Sequence, residues 1–204
     1  MKLESVVFAI SGVFFGLIAG WIIGSQQASM GPRGAMPAAQ SAAQSSAPAA
    51  GSPGTPAPAI LDETQVQALR NVADRDPKNA VARAQLGNLY YDAGRYTDAI
   101  KWYGESLALN PNDVDVSTDL GVSYYYSNEP DLAIKQLEHS LQVNPKHSKT
   151  LLNLGVVRAF GKQDLKGATE VWRRLVEAAP DSPEGRQAKQ ALDSLASAHG
   201  NTTQ

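Results

Sequence analysis

The chain says the same 34-residue phrase twice. Residues 80–113 and 114–147 align on their glycines: Leu86-Gly87 recurs as Leu120-Gly121, Tyr90 as Tyr124, Ala99 as Ala133, Leu107 as Leu141 and Asn110-Pro111 as Asn144-Pro145. A third copy keeps Leu154-Gly155, and its small residue and proline, Ala168 and Pro180, come one step late. Pro77, Pro111, Pro145 and Pro180 therefore stand 34, 34 and 35 residues apart. A period of this length marks a stacked array, because one unit is too small to bury its own apolar faces and must share a core with its neighbours.

Within a unit the apolar residues fall at helical spacing. Residues 80–92 read as a helix with Leu86, Leu89 and Tyr90 on one stripe, and residues 96–109 as a second with Ile100, Tyr103 and Leu107. Gly94 is placed to close the first helix in a left-handed conformation, and Asn110-Pro111 to stop the second. Gly87 and Ala99 are expected to face each other where the two helices cross, since small side chains let backbones approach.

Leu-Gly, an aromatic three residues on, a small residue twelve after the glycine and a proline twenty-four after it resemble the tetratricopeptide repeat (TPR) family over residues 61–198. The resemblance implies an all-α fold, a right-handed α-solenoid of helix pairs. Residues 61–79 form a half-repeat lid, opened by a cap at Asp62. Repeats follow at 80–113, 114–147 and 148–181, and a capping helix at 182–198 opens on Asp181-Ser182-Pro183-Glu184. Residues 199–204 are a tail. The third unit departs from the pattern: Arg158 replaces the aromatic, and one extra residue falls in the turn Gly161–Gly167. Val171 stands in the register of Tyr103 and Leu137 with Trp172 beside it, which predicts a displaced second helix.

Ahead of the repeats, residues 1–24 read as a transmembrane anchor. Val6–Ile23 holds no charge over 18 residues, about 27 Å of helix, close to the hydrocarbon thickness of a bilayer. A cleaved signal peptide is the alternative; the run exceeds an ordinary h-region and Gly24–Ala28 offers no good cleavage site. Gly12, Gly16, Gly20 and Gly24 recur every fourth residue, a smooth strip suited to pairing with another helix, including self-association. Residues 25–60 contain 11 alanines, 6 prolines and no aromatic residue, too little apolar area to offset the entropy of ordering, so they read as a disordered linker. Lys2 before the anchor orients the N-terminus to the cytoplasm. In a bacterium with two membranes this puts the repeats in the periplasm, tied to the inner membrane.

Nothing in the sequence points to catalysis, a cofactor or a metal. His139, His147 and His199 have no ligand spacing, and no phosphate-binding or zinc-protease motif occurs. A net charge of −2 disfavours nucleic acid as a partner. The absence of cysteine excludes disulfides and thiolate chemistry.

Binding remains, and the resemblance says where. In TPR proteins the first helix of each unit lines a concave groove, which places Asn88 and Tyr91 there from the first unit. The second supplies Thr118, Val122, Tyr125 and Tyr126, and the third Lys149, Asn153, Val156 and Phe160. Tyr91, Tyr125 and Phe160 are expected to form an aromatic ladder along that wall. The positions of a carboxylate clamp are Ala84, Asn88, Asp119, Lys149 and Asn153; only Asn88 and Lys149 match it, and an aspartate there repels a carboxylate. The reading is a non-catalytic, membrane-anchored scaffold or adaptor for a peptide or protein partner. Two narrower alternatives stand beside it. One is an apocytochrome-holding subunit, since residues 171–184 resemble the TPR part of cytochrome c maturation proteins. The other is a regulatory subunit of an envelope enzyme.

The topology has a direct check. A reporter active only in the periplasm, fused after Gln204, should be active, and a cytoplasm-only reporter silent; the reverse pattern overturns the localisation.

Overall fold

In the computed structural model residues 59–200 are described, and every one of the regular elements among them is helical. The readings of an anchor at 1–24, its glycine strip, most of the linker and residues 201–204 lie outside the described residues. Among the described residues no helix is long and apolar enough to cross a membrane.

Eight α-helices follow in order: α1 Glu63–Arg75, α2 Ala80–Asp92, α3 Tyr96–Leu109, α4 Val114–Tyr126, α5 Pro130–Val143, α6 Ser148–Val156, α7 Leu165–Ala178 and α8 Pro183–Gly200. A π-helical turn, Val157–Gly161, continues α6. Each helix packs on the next, and α4 also touches α6, as α6 touches α8, so first helices line up along one side of the stack. The helix bounds in the first pair fall at 80–92 and 96–109, the ranges the periodicity predicts.

The polar punctuation does local work. Asp62 accepts hydrogen bonds from the Thr64 and Gln65 amides, Asn79 from Ala82, Asp113 from Val116, Asp164 from Gly167 and Ser182 from Gly185. Each satisfies amides that have no partner inside the first helical turn, worth about 1 kcal/mol apiece. Helix exits recur as well: Gly94, Asn128 and Gln163 all hold positive φ, at 71°, 62° and 56°. Glycine takes that conformation freely and asparagine tolerably, whereas glutamine is held there against a steric cost of roughly 1–2 kcal/mol.

The crossing of each pair differs from the expected small-on-small contact. Gly87 lies under the ring of Tyr103, Gly121 under Leu137 and Gly155 under the indole of Trp172, all three of those large side chains being essentially buried. A Cβ on Gly121 would sit 2.8 Å from Leu137 Cγ, with the Ala133 carbonyl oxygen at 3.4 Å. The glycine therefore makes room for a large residue of the second helix, and the alanine completes the close approach. In the third pair it is Trp172, not Val171, that fills this place. The extra residue is absorbed upstream of the turn by the π-helical segment, where the Lys162 amide bonds to the Val157 carbonyl at 3.1 Å. From Gln163 onward the register is restored with a shift of one, so the indole reaches Gly155 and donates to the Leu152 carbonyl at 3.2 Å.

Two substitutions read these constraints. Gly155→Ala drives a methyl into the buried indole and should cost about 1–3 kcal/mol. Gln163→Gly relieves the left-handed position and should add about 1 kcal/mol. Urea melts of both variants check the pair; a neutral Gly155→Ala would contradict the crossing geometry.

Candidate concave binding surface

The inner side of the stack carries a set of aromatic side chains in mutual contact. Tyr91 and Tyr126, at the ends of α2 and α4, meet with ring centroids 6.1 Å apart at 66°. Tyr96, from the first turn of α3, stacks on Tyr126 at 4.9 Å and 18° and meets Tyr91 edge-on at 5.5 Å. Tyr125 lies 5.5 Å from Tyr126. Four tyrosines thus form one cluster at the junction of the first two repeats, all partly exposed. Such contacts add about 0.5–1.5 kcal/mol each beyond burial and hold the rings in place.

Tyr125 continues toward the third repeat, where a Cβ on Gly161 would come 3.2 Å from its ring. Phe160 is partly exposed beside that turn.

Next to the rings the surface turns polar. Asn88 accepts a hydrogen bond from the Tyr103 hydroxyl at 2.8 Å. Lys149 donates to Asp119 at 2.7 Å, and the Asn153 amide is turned back to the Lys149 carbonyl at 2.9 Å. Asp92 ends α2. Three other residues expected in the groove are interior: Thr118 is fully buried, and Val122 and Val156 are each 6% exposed. Thr118 bonds to the Val114 carbonyl and to Thr150, whose hydroxyl meets His147 Nδ1 at 2.7 Å. Thr118 thereby fastens its repeat to the next, and burial leaves none of the three side chains open to a ligand.

The buried setting shifts the protons. Burial raises Asp119 above the usual carboxylate range although Lys149 opposes it, and raises Asp92 with Asp119 adding to the effect. Burial raises Tyr91, with Tyr126 and Asp119 contributing, and raises Tyr96 and Tyr125. Tyr126 is pushed up to about 12, mostly by burial and then by Tyr96 and Tyr125. More than a quarter of the Asp119 side chain is open to solvent, as fits a carboxylate on a groove wall.

Tyr96 and Asp92 were not foreseen as part of this surface. Their repeat equivalents are Pro130 and Tyr126, so neither recurs, and periodicity gives no signal for them. Among the described residues no group of acids and histidines is disposed to hold a metal.

Comparison with known proteins agrees with the architecture. A TPR repeat model matches residues 87–127 and a tetratricopeptide repeat model residues 118–183. Comparison with curated protein sequences returns no match. Among solved structures, MamA is 18% identical, with a TM-score of 0.53 over 67% of this chain and 88% of its own. The Sgt2 TPR domain from Aspergillus fumigatus is 23% identical, with a TM-score of 0.54 over 60% of this chain and 82% of that one. The first TPR of Spaghetti (RPAP3), bound to the HSP90 peptide SRMEEVD, is 24% identical, with a TM-score of 0.50 over 58% and 96%. At these identities the likeness establishes the fold alone.

The proton shifts predict a pH response. The folded chain favours the neutral phenols, so the unfolded chain loses those protons first, near pH ~10. Stability should be complete below that pH and fall as pH rises toward about 12. Melting temperatures between pH 8 and pH 11 check this; Tyr126→Phe should shallow the decline, and a flat profile contradicts it.

Proposed function

We propose, from the premise that this chain is a tetratricopeptide repeat protein across residues 87–183, that its stack is a non-catalytic scaffold holding an extended peptide segment of a protein partner on the concave face. The tyrosine cluster carries the reading. Tyrosines 91, 96, 125 and 126 are large, amphipathic and pre-positioned by one another, so they lose little entropy on meeting a ligand and gain much contact area. TPR modules serve as protein-interaction surfaces, and a structural relative is described with a bound peptide.

The anchor belongs to the same proposal. The uncharged run Val6–Ile23 supports insertion, Lys2 supports a cytoplasmic N-terminus, and the Ala/Pro-rich stretch lets the repeats reach a partner away from the bilayer. The repeats then work in the periplasm, and the four spaced glycines supply a seam for helix pairing.

A carboxylate-terminated ligand fits this groove poorly. The lysine that would hold it is already bonded to Asp119 at 2.7 Å, and the ligand would have to break that pair and sit beside the aspartate.

The test compares a ring that faces the groove with one in the core. Against a peptide selected on the full-length chain in detergent, Tyr126→Ala should weaken binding by about 2 kcal/mol, roughly thirtyfold. Tyr103→Ala, which removes the buried ring packed over Gly87, should instead cost stability, about 3–5 kcal/mol. Calorimetric titration and thermal melts separate the two. Unchanged affinity in a folded Tyr126→Ala protein would move the recognition surface elsewhere.

A further inference from the structure

A second constellation lies where the second helix α3 meets the lid helix α1. Trp102 on α3 is half-buried and carries two cations over its ring: the Arg70 guanidinium of α1, 5.9 Å from the ring centroid, and the Lys101 ammonium at 5.4 Å. Arg70 also donates to the Tyr90 hydroxyl at 2.7 Å, which fixes its head beside the indole. Among the described residues neither cation has a carboxylate partner, and the Trp102 indole N–H has no acceptor. The acids nearby on α3 are already engaged: Glu105 pairs with Arg83 at 3.6 Å and Asp98 with Arg95 at 2.8 Å. Asp74, one turn beyond Arg70 on α1, forms no ion pair with it. The arrangement occurs at this junction alone, since Gln136 and Val171 stand in the register of Trp102, and Gly104 and Glu138 in that of Arg70.

Three donors gathered around one ring, with no acceptor among them, suit an oxyanion. A ring face holds a cation in place without neutralising it, so both charges stay open to a carboxylate. Such a group would take charge-assisted bonds from both heads. Arg70 is already held by Tyr90 and Trp102, so it loses little freedom when the ligand arrives. The indole also offers a flat apolar surface to a residue beside the acid. A nucleic acid or an anionic bilayer fits less well. Each presents rows of charges, whereas Asp74, Asp98 and Glu105 share these two helices and the whole chain carries a net charge of −2. One acidic side chain in a peptide meets the cations without meeting those acids.

We infer that the α1–α3 junction is a docking site for an acidic peptide segment of a protein partner. One Asp or Glu carboxylate is received between Arg70 and Lys101 beside the Trp102 indole N–H, and an apolar neighbour lies on the indole. The site uses none of the four tyrosines of the concave surface and does not depend on the groove reading. Its charge preference is the opposite of the one Asp119 imposes there, so the stack can hold two segments of different character.

Arrayed synthetic peptides of randomised sequence, probed with the full-length chain in detergent, should yield a set of binders holding Asp or Glu beside an apolar residue. That set should survive Tyr126→Ala, which acts on the concave surface, and fall away with Lys101→Gln, a change at an exposed position. For one such peptide, replacing the acid by its amide should weaken binding about tenfold. Lys101→Gln should weaken the acidic peptide about fivefold and the amide peptide by less than about twofold, the coupling expected of a direct pair. In a nitrogen-15-labelled chain the Trp102 indole N–H resonance, identified by its loss in Trp102→Phe, should move as the peptide is added. An array without acidic binders, acidic binders indifferent to Lys101→Gln, or an unmoved indole resonance overturns the docking site and leaves the concave surface standing. Binding lost with Tyr126→Ala but kept with Lys101→Gln also overturns it, and assigns the acidic segment to the groove. Displacement of the peptide by inorganic phosphate, with the same movement of the indole resonance, would assign the donors to a phosphate and overturn the acidic-peptide reading. Should Lys101→Gln unfold, the amide peptide and the indole resonance decide, because both leave the protein unchanged.

Discussion

The structure depends on one contact made three times: a glycine in the first helix of each pair lies against a large buried side chain of the second. Tyr103 over Gly87, Leu137 over Gly121 and Trp172 over Gly155 differ in shape but not in place. Each fixes how near the two helices come and how they cross, and so fixes the angle at which the next pair stacks. Because every pair touches only its neighbours, an error at one crossing would bend the whole inner surface. The polar contacts follow from it. Ser106 reaches the Ala80 carbonyl at 2.9 Å and Ser140 reaches Ser117 at 2.7 Å, bonds that close only when the second helix sits at the distance the glycine allows.

The third pair shows how that constraint survives an insertion. An extra residue in a turn would ordinarily lengthen the turn and leave the second helix free to slide. Here the first helix widens over Val157–Gly161 and takes up the residue before the turn begins. The exit then repeats the geometry of the other two, with Gln163 in the left-handed position of Gly94 and Asn128. Arg158, freed from the aromatic register, bonds Glu138 at 2.9 Å and Asp164 at 3.3 Å across the junction. The change is confined because the glycine and its indole partner hold the crossing.

Most of the fold was legible in the sequence, and the parts that were not share a cause. Helix bounds, caps, the half-repeat and the final helix are set by residues that recur or act within one turn, and both kinds of signal survive in a single chain. The Trp172 contact was misplaced by one residue because counting from the proline cannot tell whether an insertion falls in the turn or in the helix before it. Thr118, Val122 and Val156 were assigned to the groove by register. Yet a first helix has two faces that look inward, one toward the ligand side and one toward its neighbouring first helix, and register alone does not separate them. The tyrosine cluster combines Tyr96 with residues from two other helices, and only the crossing angles bring those rings together.

The groove that results is better suited to one sign of charge than the other. Its exposed acids outnumber its free bases: Lys149 is neutralised by Asp119, and His147 faces Asp115 and is tied to Thr150. A segment rich in acids, like the SRMEEVD peptide on a structural relative, would bring carboxylates to a wall that already holds Asp92 and Asp119. Affinity would come chiefly from the rings, while the acids of the wall would penalise the wrong charge, so selectivity would lie in what the surface repels as much as in what it holds. That division puts the anchoring energy in residues the fold has already immobilised, the tyrosines that stack on one another at the junction of the first two repeats.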